Sequence, residues 1–241
     1  MPTAIMVICT DGGFVIASDG KGSGGSTCEQ KIFPTKDVGA MAAYGVSGAA
    51  SCPPLTPTGT DHFVEVYKDT AKKLESETVA DLDEYADKFS NRVGQRLPSD
   101  QGKEYELRID FAGYFNGVPS MAIRKISFGA GTHKISLETN SVPAHIGCYQ
   151  YVGSERVMYG LLHNSLDLDE FKSAGFEKLH EKSVSLGEAK ECAKNYIRAC
   201  ISEEGHSVDP NIKESIGGEI ALATITPTKG FDWCHRSFPL G

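Results

Sequence analysis

The sequence predicts an α+β protein in which two antiparallel sheets pack between helical layers, a four-layer αββα sandwich. Three features of the 241-residue chain carry this prediction. Apolar runs within residues 4–19 surround a Gly-rich turn, two stretches of helical periodicity follow within residues 63–93, and an Asn-Gly turn at 116–117 joins two further apolar runs. No internal repeat or linker-like segment interrupts this order, so we expect one domain spanning residues 1–241.

The first predicted element is a β-hairpin. Ala4 to Thr10 and Phe14 to Ser18 are rich in apolar and β-branched residues, and Asp11-Gly12-Gly13 between them tolerates the positive φ angles of tight turns. Both runs are almost continuously apolar, which is typical of strands covered on both faces. A third strand is expected from Val38 to Tyr44, ended by Gly45-Val46-Ser47-Gly48.

A pair of helices is expected next, after a Pro- and Thr-rich connector at residues 51–60. Apolar residues recur at helical spacing from Phe63 to Leu74 and again from Leu82 to Val93, with charged residues on the opposite face. Gly94 and Pro98 end the second pattern.

The second half of the chain predicts another sheet. Leu107 to Phe115 and Val118 to Ile126 are joined by Asn116-Gly117, a strong hairpin signal, and Ile135 to Leu137 extends the sheet. Tyr151-Val152-Gly153-Ser154 then leads into a helix.

The last predicted elements are a helix, a strand and a tail. Ser185-Leu186-Gly187-Glu188 has the spacing of a capping box and starts a helix. A return strand is expected from Glu219 to Thr226. The tail from Pro227 to Gly241 contains the only tryptophan, Trp233, and is expected to cover a sheet edge or to contact a neighbouring molecule.

Composition narrows the classes of partner and cofactor. A net charge of −8 argues against binding to nucleic acid or to an anionic membrane. No apolar run is long enough to span a bilayer and no signal-peptide pattern is present, so we expect a cytoplasmic location. The seven cysteines are scattered and the histidines show no ligand spacing, so we expect reduced structural thiols, no metal and no cofactor. Gly20, Gly22 and Gly25 match a dinucleotide pattern, but the helix that such a site requires does not follow.

Four residues near the start of the chain have the chemistry of an amine-activated nucleophile. The hydroxyl of Thr3 is a poor nucleophile unless a base takes its proton, and the α-amino group of the same residue can act as that base once it is free. Lys31 close to the hydroxyl favours its deprotonation, and Asp19 keeps the lysine charged and in place. The backbone N–H of Gly45 can point at a developing oxyanion because no side chain obstructs it.

This stretch resembles the start of a proteasome-type subunit of the N-terminal-nucleophile (Ntn) hydrolase superfamily, which includes the 20S proteasome β subunits and the protease HslV. The resemblance rests on Thr3, on Val15-Ile16-Ala17-Ser18-Asp19, on Lys31-Ile32 and on Gly45. Sixteen positions separate Thr3 from Asp19 and fourteen separate Lys31 from Gly45, as in that family. The resemblance implies the Ntn hydrolase fold with Thr3 as the nucleophile. It also implies that Asp19 and Lys31 are its charge partners and that the Gly45 N–H is the oxyanion donor.

Further site residues are implied by the same resemblance. Ser23 falls where the family has a substrate-contacting Ser or Thr. Ala43 and Ser47 fall at positions that line the family's specificity pocket, which their small side chains would leave roomy. Ser154 matches a family serine that opens a helix near the nucleophile. The alternative is that Ser154 serves only as the N-cap of that helix.

A late Gly217-Gly218 pair resembles the glycines that precede the return strand in the family. Active members often carry a Ser directly before these glycines and an Asp three residues earlier. Here those positions hold Ile216 and Lys213, a departure from the pattern of active members. Asp209 and Ser215 can take the two places only if the backbone shifts.

The function implied is a peptidase that cleaves peptide bonds with Thr3 as an N-terminal nucleophile after removal of Met1-Pro2. Two alternatives stay open: a catalytically inactive structural subunit of a ring, and a non-proteolytic Ntn amidase. The resemblance also implies a homo-oligomeric ring and a peptide or protein substrate. It leaves open whether an unfoldase partner exists.

Overall fold

The computed structural model describes residues 3–21, 31–34, 42–48, 60–96, 105–115, 117–129, 132–134, 142–163 and 168–235. These residues form a mixed α/β structure with two antiparallel sheets and helices. The chain divides into two compact units. The first unit contains residues 33–143, and the second unit contains residues 2–32 and 144–241.

The regular elements are numbered along the chain. The strands are β1 (Ile5–Thr10), β2 (Gly13–Asp19), β3 (Ile32–Pro34), β4 (Ala42–Gly48), β5 (Tyr105–Phe115), β6 (Val118–Gly129), β7 (Thr132–Lys134), β8 (Val142–Pro143), β9 (Tyr149–Val152), β10 (Ile220–Thr226) and β11 (Gly230–His235). The helices are α1 (Thr60–Leu74), α2 (Leu82–Arg96), α3 (Glu155–His163), α4 (Ala174–His180), α5 (Leu186–Ile201) and α6 (Glu203–Val208). Short 3₁₀ turns lie at Asp169–Phe171 and Pro210–Ile212.

The second unit is built on a five-stranded sheet with the order β11-β10-β2-β1-β9. Every residue of β1 and β2 is buried, in agreement with their continuously apolar sequences. Helix α5 packs against both strands and contributes Cys192, Tyr196 and Cys200 to the apolar core. The β1–β2 turn requires Gly13, whose φ is +145° and whose added Cβ would lie 2.3 Å from the carbonyl oxygen of Ile225.

The first unit has a sheet with the order β3-β4-β5-β6-β7, and β8 pairs with β6. Helix α2 packs against β5 and β6, and the ring of Phe89 meets that of Phe111 edge to face at 5.7 Å. Arg124 of β6 is fully buried and donates to Asp87 at 2.6 Å and to Asp83 at 2.7 Å. Because both carboxylates belong to α2, this cluster joins the helix to the sheet.

The predicted C-terminal end of the third strand, Tyr44, was wrong. β4 runs from Ala42 to Gly48, so Gly45 lies inside the strand, where it is opposite Asp110 of β5. The eleven-residue β5 pairs with every residue of β4, and this tertiary pairing overrides the tendency of the glycines to end a strand. Residues 35–41 and the predicted extension at Ile135 to Leu137 lie outside the described part of the chain.

Other predicted elements are present. Helices α1 and α2 occupy the two periodic stretches, and the capping box of α5 forms between Ser185 and Glu188. Trp233 lies in β11, which pairs with β10 at the edge of the sheet. In the part of the chain that the structure describes, no helix has the length and apolar character needed to cross a membrane. The single domain spanning 1–241 remains a prediction.

Candidate active site

The β1–β2 hairpin brings the start of the chain to the end of β2. The antiparallel register pairs Ile5 with Ser18. One position further, the backbone N–H of Ala4 donates to Asp19 Oδ1 at 2.8 Å and the Asp19 N–H donates to the Ala4 carbonyl at 3.0 Å. Thr3 directly precedes Ala4, so its side chain meets the Asp19 carboxylate.

Thr3, Asp19 and Lys31 form a closed triangle of hydrogen bonds in the second unit. The Thr3 hydroxyl donates to Asp19 Oδ1 at 2.7 Å. Lys31 Nζ donates to Thr3 Oγ1 at 2.5 Å and to Asp19 Oδ1 at 2.7 Å. All three residues are buried, with exposed fractions of 3%, 0% and 8%. The hydroxyl oxygen therefore lies between an ammonium that stabilises negative charge on it and a carboxylate that accepts its hydrogen bond.

Backbone groups complete the environment of the Asp19 carboxylate. Asp19 Oδ2 accepts from the N–H of Lys21 at 3.3 Å and from that of Gly217 at 3.1 Å. The Gly20 N–H donates to the Gly217 carbonyl at 3.1 Å. A fully buried carboxylate needs such donors because it has lost its hydration. The sequence signal for this contact is the Gly217-Gly218 pair before β10, since the register of β10 with β2 places Ile220 opposite Asp19.

Ser154 and Asp209 form a second buried polar pair in the same unit. Ser154 Oγ donates to Asp209 Oδ2 at 2.7 Å and accepts from the Val157 N–H at 3.1 Å, so the hydroxyl also caps α3. Asp209 Oδ1 accepts from the backbone and side-chain nitrogens of Asn211 at 3.2 and 3.1 Å. Burial opposes the ionisation of Asp209, but these hydrogen bonds and the charge of Arg156 outweigh it and hold its pKa below the ordinary value.

The two polar groups lie at adjacent ends of neighbouring strands. The β1–β9 register pairs Ile5 with Val152, and a Cβ added to Gly153 would lie 3.3 Å from the Ala4 Cα. Thr3 directly precedes Ala4 in one segment, and Ser154 directly follows Gly153 in the other. Burial raises the pKa of the Cys200 thiol to about 12, and the negative charges of both Asp19 and Asp209 add to the shift.

The other predicted site residues are placed as follows. Ser215 donates at 3.4 Å to the carbonyls of Asn211 and Ile212, and among the described contacts its hydroxyl bonds within its own turn. On β4 of the first unit, Ala43, Gly45 and Ser47 are opposite Ala112, Asp110 and Arg108. Ser23 lies outside the described residues. The roles assigned to all of these residues remain predictions.

Among the residues that the structure describes, no three His, Cys, Asp or Glu side chains are grouped so as to hold a metal ion. The polar groups of the site instead bond to one another. Its chemistry is that of a threonine hydroxyl between opposite charges, beside a second serine–carboxylate pair.

Comparison with solved structures identifies the fold. Anbu (ancestral beta-subunit) from Yersinia bercovieri superposes with a TM-score of 0.57 at 14% sequence identity, over 95% of this chain and 86% of that one. The chain has the fold of the Anbu proteins. A Gly-1 mutant of Anbu from Hyphomicrobium sp. strain MC1 gives a TM-score of 0.51 at 13% identity, over 97% and 85% of the two chains. Anbu from the same strain gives 0.50 at 13% identity, over 95% and 86%. No family model and no curated protein matches the sequence.

The Anbu match corrects the resemblance inferred from the motif. That inference named the 20S proteasome β subunits and HslV, and it was wrong: the structures found are Anbu (ancestral beta-subunit) proteins. The motif from Thr3 to Gly45 specifies a hairpin and a few polar residues at fixed spacing. These spacings use only the first 45 residues, whereas the structural match covers 95% of the chain.

Proposed function

We propose that this protein is a proteasome-like Ntn peptidase in which Thr3 attacks the peptide carbonyl. The observation that carries the proposal is the triangle in which Thr3 Oγ1 lies 2.5 Å from Lys31 Nζ and donates to Asp19 at 2.7 Å. The Anbu fold supports it at the level of architecture. An ammonium held by a buried carboxylate is the arrangement that favours a threonine alkoxide.

The reaction begins when Pro2–Thr3 cleavage frees the Thr3 amine. That amine takes the hydroxyl proton, Oγ1 attacks the carbonyl carbon, and the amine returns the proton to the leaving nitrogen. The Gly45 N–H donates to the oxyanion in this scheme. Water then hydrolyses the acyl-enzyme. Ser154, whose hydroxyl is bonded to Asp209, orients the Thr3 amine or a water molecule bound next to it.

The first experiment is the intact mass of the purified protein with N-terminal sequencing. A chain that begins at Thr3 supports the proposal. The processed protein is then treated with a peptide epoxyketone, which requires both the hydroxyl and the amine of an N-terminal threonine. We expect one covalent adduct, located on Thr3.

Variants at Thr3 assign the activity. Thr3→Ala is expected to reduce peptidase activity by more than about 10³-fold, because the nucleophile is removed. Thr3→Ser retains a hydroxyl and should retain measurable activity. Thr226→Ala, a threonine at the end of β10, is the matched control and should behave like the wild type. A chain that keeps Met1 or Pro2 and forms no adduct would contradict the proposal.

A second candidate is an inactive subunit of the same fold. It is favoured by the sequence itself, because the nitrogen of Thr3 lies in an amide bond with Pro2 until that bond is cleaved. The absence of an epoxyketone adduct in a processed chain would select this candidate. An amidase, the third possibility, would react with the probe but hydrolyse small amides in preference to peptides.

The finer architecture is part of the same proposal. We infer a single domain with the four-layer αββα arrangement, a peptide or protein substrate, a homo-oligomeric ring and a cytoplasmic location. Sedimentation equilibrium tests the ring, since a proteasome-like assembly would have several times the mass of the chain. A monomer at micromolar concentration would contradict it.

A further inference from the structure

Cys9 and Cys148 are opposed across the junction of β1 with the start of β9. The β1–β9 register pairs Ile8 with Tyr149, and the next two residues in this order are the two cysteines. The Cys9 N–H donates to the Cys148 carbonyl at 2.9 Å, and the Gly147 N–H donates to the Cys9 carbonyl at 2.8 Å. Two residues of one strand thus face one residue of the other, which is a β-bulge with a glycine of positive φ, +79°, at its first position.

This backbone geometry suits a disulfide. Opposed residues of an antiparallel pair have Cα atoms about 4.5–5.5 Å apart, which lies within the range of Cα separations that a disulfide spans. The Cys9 Sγ donates to the Thr10 carbonyl at 3.9 Å. The interaction between the two cysteine side chains lowers the pKa of Cys148 to about 7 and, together with burial, raises the pKa of Cys9.

The bulge is held in place by Leu179 and Lys182, which pack closely against it. A Cβ added to Gly147 would lie 2.6 Å from the Lys182 Cα and 3.0 Å from the Leu179 carbonyl oxygen. The Cys148 N–H donates to the His145 carbonyl at 3.0 Å, which closes the turn. These contacts fix the backbone that places Cys148 opposite Cys9.

The two thiols differ in their access to solvent. Cys148 is half-buried, whereas Cys9 is 1% exposed. A small oxidant therefore has readier access to Cys148 than to Cys9. An accessible thiol with a low pKa beside a shielded partner is the arrangement of a redox-sensitive pair.

We propose that Cys9 and Cys148 form a reversible intramolecular disulfide when the protein meets a peroxide. The Cys148 thiolate attacks one peroxide oxygen and becomes a sulfenic acid, and hydroxide leaves. The Cys9 sulfur then attacks the sulfenic sulfur and the S–S bond forms. The displaced hydroxyl group takes the Cys9 proton and leaves as water. Two thiols are oxidised, one peroxide is reduced to two waters, and a dithiol reverses the change by exchange.

The bond would join the edge strand β9 covalently to β1. Thr3 and Ser154 lie beyond the opposite end of the same strand pair. The inference itself does not depend on peptidase activity, because the chemistry involves the cysteines alone.

The test treats the full chain with hydrogen peroxide, blocks the remaining thiols with iodoacetamide and maps the peptides by mass spectrometry. We expect a protein lighter by two hydrogen atoms before blocking, and a linked peptide that joins Cys9 to Cys148. Dithiothreitol should restore both thiols. Hydrogen exchange of the β9 amides should be slower in the oxidised form.

Variants separate this pair from the other thiols. Cys148→Ser should form no such link. In Cys9→Ala the resolving thiol is absent, so Cys148 should gain oxygen atoms instead. Cys234→Ser removes an exposed cysteine of β11 and should form the same disulfide as the wild type. Three results with the wild-type protein would overturn the inference: Cys148 oxidised without a link, a link to another cysteine, or no reaction. This comparison uses the wild-type protein alone, so it does not depend on the folding of any variant.

Discussion

Lys31 and Asp19 form an ion pair whose side chains are 9% and 0% exposed. Taking two charges out of water is costly, and the attraction between them offsets that cost only while both are present. The Thr3 hydroxyl and three backbone N–H groups supply the remaining donors of Asp19. The pair therefore holds the Thr3 hydroxyl in place, and the removal of either charge is expected to destabilise the folded state.

Lys31→Met is expected to lower the free energy of unfolding by about 3–5 kcal/mol, because it leaves the Asp19 charge buried without its counter-ion. The measurement is urea unfolding at neutral pH. Lys73→Met is the matched control: Lys73 pairs with Asp69 at 3.0 Å on the exposed face of α1, and the urea midpoint should barely move. The double variant Lys31→Met, Asp19→Asn should recover part of the loss. Equal effects of the two lysine changes would contradict this account.

Ser154→Ala removes both the cap of α3 and the hydrogen bond to Asp209. We expect a loss of about 2 kcal/mol in unfolding free energy at neutral pH, from the cap and from the acceptor left without its donor. The folded pKa of Asp209 lies below its ordinary value of 3.8, so its contribution is present above that pH and is lost as the pH falls through the folded pKa. The effect of Ser154→Ala should therefore shrink in acid.

Ser202→Ala is the control for capping alone, since Ser202 caps α6 through the Gly205 N–H at 3.0 Å and has no carboxylate partner among the described contacts. We expect a loss of about 1 kcal/mol that changes little between neutral and acidic pH. If Ser154→Ala caused the same loss in unfolding free energy as Ser202→Ala, with the same independence of pH, the Asp209 contact would contribute nothing to stability.

At the scale of one element, the negative charge of Glu188 stabilises the N-terminus of α5. Glu188 accepts from the Ser185 N–H at 3.0 Å and from its hydroxyl at 2.7 Å, and it is also paired with Lys178. The hydrogen bond from Lys178, followed by those from Ser185, lowers the pKa of Glu188 from 4.5 to about 2. The stabilisation is therefore complete above pH 4.5 and disappears as the pH falls toward 2.

Glu188→Gln should lower the urea midpoint relative to the wild type above pH 4.5, and the difference should vanish as the pH approaches 2. Unfolding curves recorded across this range by circular dichroism test the prediction. Glu191→Gln removes one charge from the same helix outside the capping box and controls for net charge. A difference between Glu188→Gln and wild type that is constant with pH would show that the charge of Glu188 is not involved.

Local elements were predictable where neighbours in sequence decide them. Asp11-Gly12-Gly13 predicts the β1–β2 hairpin, and the register of that hairpin alone puts Ala4 beside Asp19. The link from Ser154 to Asp209 was not predictable with the same certainty. The position of Asp209 depends on where α6 ends and the following 3₁₀ turn begins, and such irregular segments have no periodic signal.

Long-range charge pairing was missed in the same way. An arginine in a strand usually indicates a solvent-exposed position. Arg124 is nevertheless fully buried, because its guanidinium donates hydrogen bonds to Asp83 and Asp87, which lie one helical turn apart. The Cys9–Cys148 contact depends on a bulge of one residue, and such an insertion cannot be located from apolar patterning. In both cases the deciding partner lies tens of residues away in sequence.

At the scale of the whole molecule, each unit has its own apolar core. If the chain is one domain, as predicted, both cores should unfold in one transition. Native-state hydrogen exchange should give the same free energy for the slowest amides of β1 and of β5, and Trp233 fluorescence should report the same urea midpoint as circular dichroism. A lower exchange free energy in one core would show that the units unfold separately.

The second unit is discontinuous, because residues 33–143 lie between its two parts. A ribosome therefore releases Thr3, Asp19 and Lys31 long before Gly217, whose N–H completes the carboxylate's environment. At about 5–20 residues per second, the delay is roughly 10–40 s. During this interval the first unit is already complete as a continuous segment, while the Asp19 carboxylate still lacks the Gly217 N–H as a donor. If Thr3 is the nucleophile proposed above, the order of synthesis would delay the completion of its site until almost all of the chain has been made.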